Sequence, residues 1–291
     1  MKININTFYV LIVTLLVTVS FQAQEFQGKA YYFSKTTMDL SRFNRGGGEM
    51  TEQRKKEIAT RLKSMLEKTY VLTFNKEESI FVEDEKLSSP VSSGRGPGGF
   101  GSNFSPGPQY KNIKERLYLQ DQEFFGKQFL IKEEMQPLEW KMGSETKQIG
   151  QYMCFKATAT KVSTNIDFGP PRRGGDEQDS DKSKEDDKKE AAPKMDEVIA
   201  WYTPQIPVSQ GPADYWGLPG LILEVSAGNN TILCSKIVIN PEEKTEIVAP
   251  RKGQVVTQQE YKDIITKKMA EFRESRGRDR GGRPGGGGGR N

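Results

Sequence analysis

The chain has 291 residues with 43 basic and 39 acidic side chains, a net charge of +4, 34% hydrophobic content and no histidine. The missing histidine excludes Ser-His-Asp and Cys-His catalysis, histidine metal sites and histidine pH switches. The balanced charge excludes the broad basic face of a nucleic-acid binder, and the low apolar share implies one modest folded unit with long segments outside it.

The amino terminus reads as a secretory signal over residues 1–23. Lys2 supplies the charge, Phe8 to Val19 is apolar apart from Thr14 and Thr18, and cleavage after Ala23 leaves Gln24 first. No later run of ~18 apolar residues follows, so membrane contact is expected to be peripheral at most. The expected location is periplasmic, outer-membrane-associated or extracellular.

A single β-rich domain is expected over 24–274, with flexible insertions at 87–108 and 169–194 and a disordered tail at 275–291. Gln27 to Lys35 carries Ala30, Tyr31, Tyr32 and Phe33 and reads as a first strand. A helix is expected from Glu49 to Lys68, packed on a sheet through the stripe Ile58, Leu62, Met65 and Leu66. Tyr70 to Asn75 and Ser79 to Glu83 read as a hairpin. Leu87 to Pro108 holds six glycines and four prolines, too little apolar area to offset ordering entropy; Phe100 and Phe104 are its only adhesive residues.

Arg116 to Gln120, Glu123 to Phe125 and Lys127 to Glu133 are strand-like. Trp140 follows, and Gln148 to Lys161 reads as one longer strand. Asp176 to Glu190 has eight acids, four lysines and no apolar residue, a solvated loop. Asp176, Asp179 and Asp181 lack the spacing of an EF-hand loop, so no metal is expected. Val198 to Thr203, Leu221 to Val225 and Thr231 to Ile239 are strands, the last two joined by a Gly-Asn-Asn turn. Lys244 to Val248 reads as a short strand. Thr257 and Glu260 form a capping box for a last helix with the stripe Tyr261, Ile264, Ile265, Met269 and Phe272. From Arg273 structure is expected to end in an arginine- and glycine-rich tail. The sum is an α+β fold: a mainly antiparallel sheet of eight to ten strands, curved or an open barrel, with two amphipathic helices.

Trp201 to Val225 is the most distinctive stretch. Pro204, Pro207, Pro212 and Pro219 stiffen it, and Gly211, Gly217 and Gly220 supply conformational freedom. Trp201, Tyr202, Tyr215 and Trp216 supply bulk. A structural crossover is the main reading; a ligand groove lined by those four aromatics is the second. Acid–base candidates nearby are Glu224, Asp214 and Lys156, with Glu224 expected to face solvent by strand alternation. Cys154 and Cys234 both lie in strand-like runs. Export permits a disulfide between them, and two buried free thiols are the equal alternative.

Gly217, Leu218, Pro219, Gly220, Leu221 and Ile222 spell GLPGLI. Tyr152 to Ala157, Ala200 to Pro204, Ile206 to Val208 and Gly211 to Pro212 accompany the hexamer in order. On these residues the chain resembles the GLPGLI family, exported proteins of Bacteroidota. The resemblance implies a β-rich envelope protein encoded near outer-membrane receptor systems; it implies no catalytic residue and no cofactor.

Three functions follow as expectations. The first is a non-enzymatic envelope protein binding a protein, peptide or lipid, such as an outer-membrane receptor, with a carrier-like half-barrel as its lipid form. The second is an adhesive or assembly component acting through the glycine- and arginine-rich segments on anionic headgroups. The third is a carboxylate-based hydrolase, which needs two carboxylates facing each other across a cleft.

Overall fold

Twelve strands build one sheet in the order β12-β6-β5-β4-β3-β2-β1-β11-β10-β9-β8-β7, open at both ends, in a computed structural model that describes residues 26–37, 51–84, 106–162, 195–243 and 245–280. The strands are β1 (Gln27–Thr36), β2 (Glu67–Asn75), β3 (Glu78–Glu83), β4 (Gln109–Asn112), β5 (Leu117–Phe124) and β6 (Lys127–Glu134). They continue as β7 (Lys141–Ile149), β8 (Tyr152–Val162), β9 (Met195–Thr203), β10 (Leu221–Ala227), β11 (Asn230–Ile239) and β12 (Gln254–Val256). Helix α1 spans Glu52–Leu66 and α2 spans Gln258–Arg280. All pairings are antiparallel except β12 on β6. The expected α+β class and curved antiparallel sheet are therefore observed, without barrel closure.

The central hairpin forms as its turn chemistry predicts, with Ala227 opposite Asn230 and Gly228 at φ 56°. The capping box is reciprocal: Thr257 N donates to Glu260 Oε2 at 2.7 Å and Glu260 N donates to Thr257 Oγ1 at 3.2 Å. The face of α2 bearing Tyr261 and Ile265 packs on Phe124, Phe129, Ile131 and Val256.

Several expectations are corrected. Gln148 to Lys161 is two strands, because Gly150 at φ 59° turns the chain between β7 and β8. The two short strands within 116–125 are one, β5. Its polar row is satisfied along the strand: Tyr118 Oη donates to Gln120 Oε1 at 2.8 Å, and Gln120 Nε2 donates to Gln122 Oε1 at 2.9 Å. Residues 245–248 form no strand. The Gln27 side chain takes the place of a neighbouring strand there, donating to Thr245 O at 2.6 Å and accepting from Thr245 N at 3.1 Å. The first turns of α1 stand exposed, with Ile58 half-buried. Helix α2 continues through Arg280, where the arginines and glutamate outweigh the lone Gly277 in helix propensity. Strands β4 and β12 carry no sequence pattern strong enough to be expected.

The expected signal at 1–23, the acidic run at 176–190, Phe100, Phe104 and the tail beyond residue 280 lie outside the described residues. Of the expected insertion at 87–108, residues 106–108 are described; there Asp121 N donates to Pro108 O at 3.1 Å and ties the chain to β5.

Candidate functional site: the crossover inside the sheet

Residues 204–220 leave the end of β9 and return as β10. The segment first closes on itself. Gly217 N donates to Ser209 O at 3.1 Å, Leu221 N to Ile206 O at 2.9 Å and Ile222 N to Gln210 O at 3.0 Å. These bonds pair the carbonyls of Ile206, Ser209 and Gln210 within the segment and the start of β10, which lowers the cost of burying it. Two glycines make the closure sterically feasible. A Cβ on Gly220 would sit 2.2 Å from Thr203 O, and one on Gly211 would sit 2.8 Å from Ile222 Cδ1.

The segment then ties distant strands together. Ser79 Oγ on β3 donates to Gln210 Oε1 at 2.7 Å. Lys111 Nζ on β4 donates to Gly211 O at 2.6 Å and to Tyr215 O at 3.0 Å. Trp216 packs with Tyr118 of β5 and with Met135, and Trp140 Nε1 donates to Trp216 O at 2.9 Å. Lys161 on β8 pairs with Asp214 and lies 5.0 Å from the Tyr215 ring centre. Leu218 is buried against Ala157, Val198 and Ala200 of β8 and β9.

These contacts measure the curvature. Strands β4 and β8 are seven places apart in the sheet, a separation of roughly 34 Å if the sheet were flat at ~4.8 Å per strand. One run of residues, Gly211 to Trp216, reaches both. The sheet therefore wraps around the crossover, and the crossover fills its interior.

Lys111 is the residue that sequence reasoning missed. Its side chain is 0% exposed, and burial pushes its amine down from 10.5 to about 7; Asp214 opposes that shift and Lys161 adds to it. Nothing in the sequence separates Lys111 from the other lysines, because its short strand has no apolar alternation. Burial pushes the Asp214 carboxyl up, but the Lys161 charge and hydrogen bond, with Lys111 behind them, hold it below the ordinary carboxylate range. Asp214 keeps 39% of its side chain exposed, so its ion pair belongs to the weaker, solvent-screened kind. Burial raises the Tyr118 phenol well above its ordinary value, and the Asp214 charge adds to the effect.

The other expected acid–base residues are engaged elsewhere. Glu224 is not solvent-facing: only 14% of its side chain is exposed, and Lys147 pairs with it at 2.5 Å while lying 5.1 Å from the Trp201 ring centre. A bulge between Ile222 and Glu224 breaks the alternation on which the solvent-facing expectation rested. Lys156 pairs with Glu145 at 2.7 Å.

The four aromatics do not line one groove. Trp201 stands opposite Glu224, whereas Tyr202 stands opposite Ile222 and points to the other face of β9. Trp201 belongs to the core around Cys154 and Leu223, Tyr202 and Tyr215 to the core around Leu218, and Trp216 to the cluster with Tyr118. Of the signature hexamer, Leu218, Gly220, Leu221 and Ile222 are buried while Gly217 and Pro219 are exposed.

Cys154 and Cys234 are both buried free thiols in one core. Strands β9 and β10 separate them in the sheet. Burial pushes Cys154 up to about 11 and Cys234 up to about 12, which makes both poor nucleophiles.

Three clefts among the described residues lie away from the crossover. The largest, about 710 Å³, is lined by Phe26, Asn75, Glu77, Glu78 and Glu246 among others. No group of three or more Cys, Asp or Glu suited to a metal occurs among the described residues. No described helix is long and apolar enough to cross a membrane.

No curated protein matches the chain. Two solved structures of PNGF-II, in space groups C2 and P21, resemble it at 12% and 13% identity with TM-scores of 0.45 and 0.46. Each match covers 83% of this chain and 33% of the other, so the chain spans about a third of their length. A family described as protein of unknown function (Porph_ging) matches residues 140–224, from Trp140 through β7, β8, β9 and the whole crossover to Glu224.

Proposed function

We propose that the protein is a non-enzymatic, exported component of the cell envelope that binds a protein or peptide partner at the free edge of its sheet. The observation that carries this reading is the asymmetry of the two edges. Strand β12 is three residues long and leads directly into α2. Strand β7 is nine residues long, largely exposed, and paired only with β8 among the described residues. A bare edge of that length is a template for an added strand. A bulge between Met142 and Thr146 interrupts its pairing, leaving Thr146 to Ile149 as the regular stretch.

The filled interior favours a surface partner over an enclosed lipid, because the crossover takes the volume a lipid would need. The engaged state of Asp214, Glu224, Lys156 and Lys111 favours binding over acid–base chemistry. The test is affinity purification from envelope fractions with native mass spectrometry. Adjacent strand residues point their N–H groups to opposite sides, so of Lys147→Pro and Gln148→Pro one blocks the outward N–H. That variant is expected to lose a stoichiometric protein partner while retaining its circular dichroism. A retained stoichiometric lipid, or partner capture unchanged in both variants, overturns the reading.

A second reading keeps an adhesive role for the basic end. Helix α2 carries Arg273, Arg276, Arg278 and Arg280 past Phe272, the last α2 residue in an aromatic contact, a mount for contact with anionic headgroups. Removing residues 273–291 should then abolish binding to anionic vesicles; unchanged binding would dismiss it.

A further inference from the structure

Two features of the crossover's bed are at odds with a permanently seated segment. Lys111 is fully buried, yet its nitrogen meets two neutral carbonyl oxygens, and the opposite charge that acts on it, Asp214, is paired with Lys161. Two nearby amide atoms, Gln109 Oε1 and Gln210 Nε2, are buried with no hydrogen-bond partner. Buried polar atoms without partners are rare because each forfeits its hydration. Gln109 lies two residues from Lys111 on the same face of β4, and Gln210 adjoins Gly211. All three groups regain water if the crossover lifts.

We propose that the crossover is an acid-loosened plug, with Lys111 as the positioning residue that sets how firmly it is seated. The seated state holds Lys111 best as a neutral amine, whose two N–H groups match the carbonyls of Gly211 and Tyr215. Lifting the crossover hydrates the nitrogen and restores its ordinary affinity for a proton. Opening therefore takes up one proton, and acid favours it. With the seated amine at about 7 and the hydrated one at 10.5, the opening constant rises about fifty-fold between pH 9 and pH 7 and then levels off within another twofold.

The groups facing Lys111 leave this window to it. Asp214 is held below the carboxylate range, so it titrates on the acid side. Tyr118 on β5 and Tyr215 in the crossover are raised by burial and, with Asp214 contributing to both, titrate on the alkaline side. Lys161 is tied to Asp214, and Ser79 of β3, on the other flank of Lys111, does not titrate.

Opening would expose Tyr118, Met135 and Trp216, an aromatic and apolar surface now covered. The proposal is independent of the edge-binding reading, since it concerns the interior and not β7.

Amide hydrogen exchange of the full chain tests it, with protection factors corrected for the intrinsic pH dependence. The reporters are the amides of Gly217, Leu221 and Ile222; amides of β1 and β2 report global unfolding. In the wild type, crossover protection should climb about fifty-fold from pH 7 to pH 9, while staying well below the protection of β1 and β2, because the crossover opens without global unfolding. In Lys111→Met that slope should vanish. A flat wild-type profile, a slope that survives in Lys111→Met, or crossover protection equal to that of β1 and β2 throughout overturns the proposal. If Lys111→Met does not fold, the wild-type slope and the gap in protection between the crossover and β1 and β2 decide, together with an NMR titration of the Lys111 Nζ. A midpoint near 7 in that titration supports the proposal and one near 10 overturns it.

Discussion

Replacing Gly220 by alanine puts a methyl group into the joint where the crossover rejoins the sheet. The added Cβ would lie 2.2 Å from Thr203 O, 2.6 Å from Thr203 C and 2.9 Å from Pro204 N, all backbone atoms that no side-chain rotation can move. Ordinary contact needs about 1 Å more. The ends of β9 and β10 must therefore separate, which strains the Thr203 to Leu221 register and the 2.9 Å bond from Leu221 N to Ile206 O. Overpacking costs about 1–3 kcal/mol, and a lost backbone bond adds about 1 kcal/mol. The expected loss is about 2–4 kcal/mol, a large part of the ~5–15 kcal/mol that holds a typical domain together. Urea unfolding followed by far-ultraviolet circular dichroism measures it. Gly150→Ala is the control: its Cβ meets open space and pays only for φ 59°, about 1 kcal/mol. If Gly220→Ala matches the wild type within ~0.5 kcal/mol, or costs no more than the control, the crossover does not close against Thr203 and the packing account fails.

The remaining predictions concern titration and capping. Unfolding free energy should rise from pH 7 to about 8.5, because there the unfolded chain keeps the Lys111 proton that the folded chain gives up. Above about pH 9 it should fall, since the raised thiols of Cys154 and Cys234, and then the raised phenols of Tyr32 and Tyr118, stay protonated in the fold while their unfolded counterparts ionise; urea midpoints at constant ionic strength check both limbs, and a monotonic profile would contradict the assignment of Lys111. Thr257→Ala removes one half of the capping box and should cost about 1 kcal/mol, lowering the protection of the first turn of α2 in hydrogen exchange.

What the sequence made legible follows from how local each signal is. The Gly-Asn-Asn hairpin, the capping box and the Tyr70–Glu83 hairpin are written in neighbouring residues, and all three appear. The turn at Gly150 was hidden because β7 is polar on both faces, so no alternation marked where one strand ended. Strand β4 is four residues long and earns its burial only from strands and a crossover far away in sequence. The site was legible as a place but not as a mechanism. The Pro- and Gly-punctuated run identified the crossover, while the partners that seat it, Ser79, Lys111, Tyr118, Trp140 and Lys161, are ordinary residues on five different segments. The reading of four aromatics as one groove failed for a simple reason: Trp201 and Tyr202 are consecutive in a strand and face opposite ways.

The central claim is that the crossover sits inside a sheet curved far enough to grip it from both arms. Zero-length carbodiimide crosslinking, read out by peptide mass spectrometry, tests this most directly. Lys161 on β8 should join Asp214 of the crossover, alongside the Lys68–Glu83 and Lys147–Glu224 pairs as internal controls. If the control crosslinks form and Lys161 to Asp214 does not, the crossover lies outside the sheet and the account is wrong.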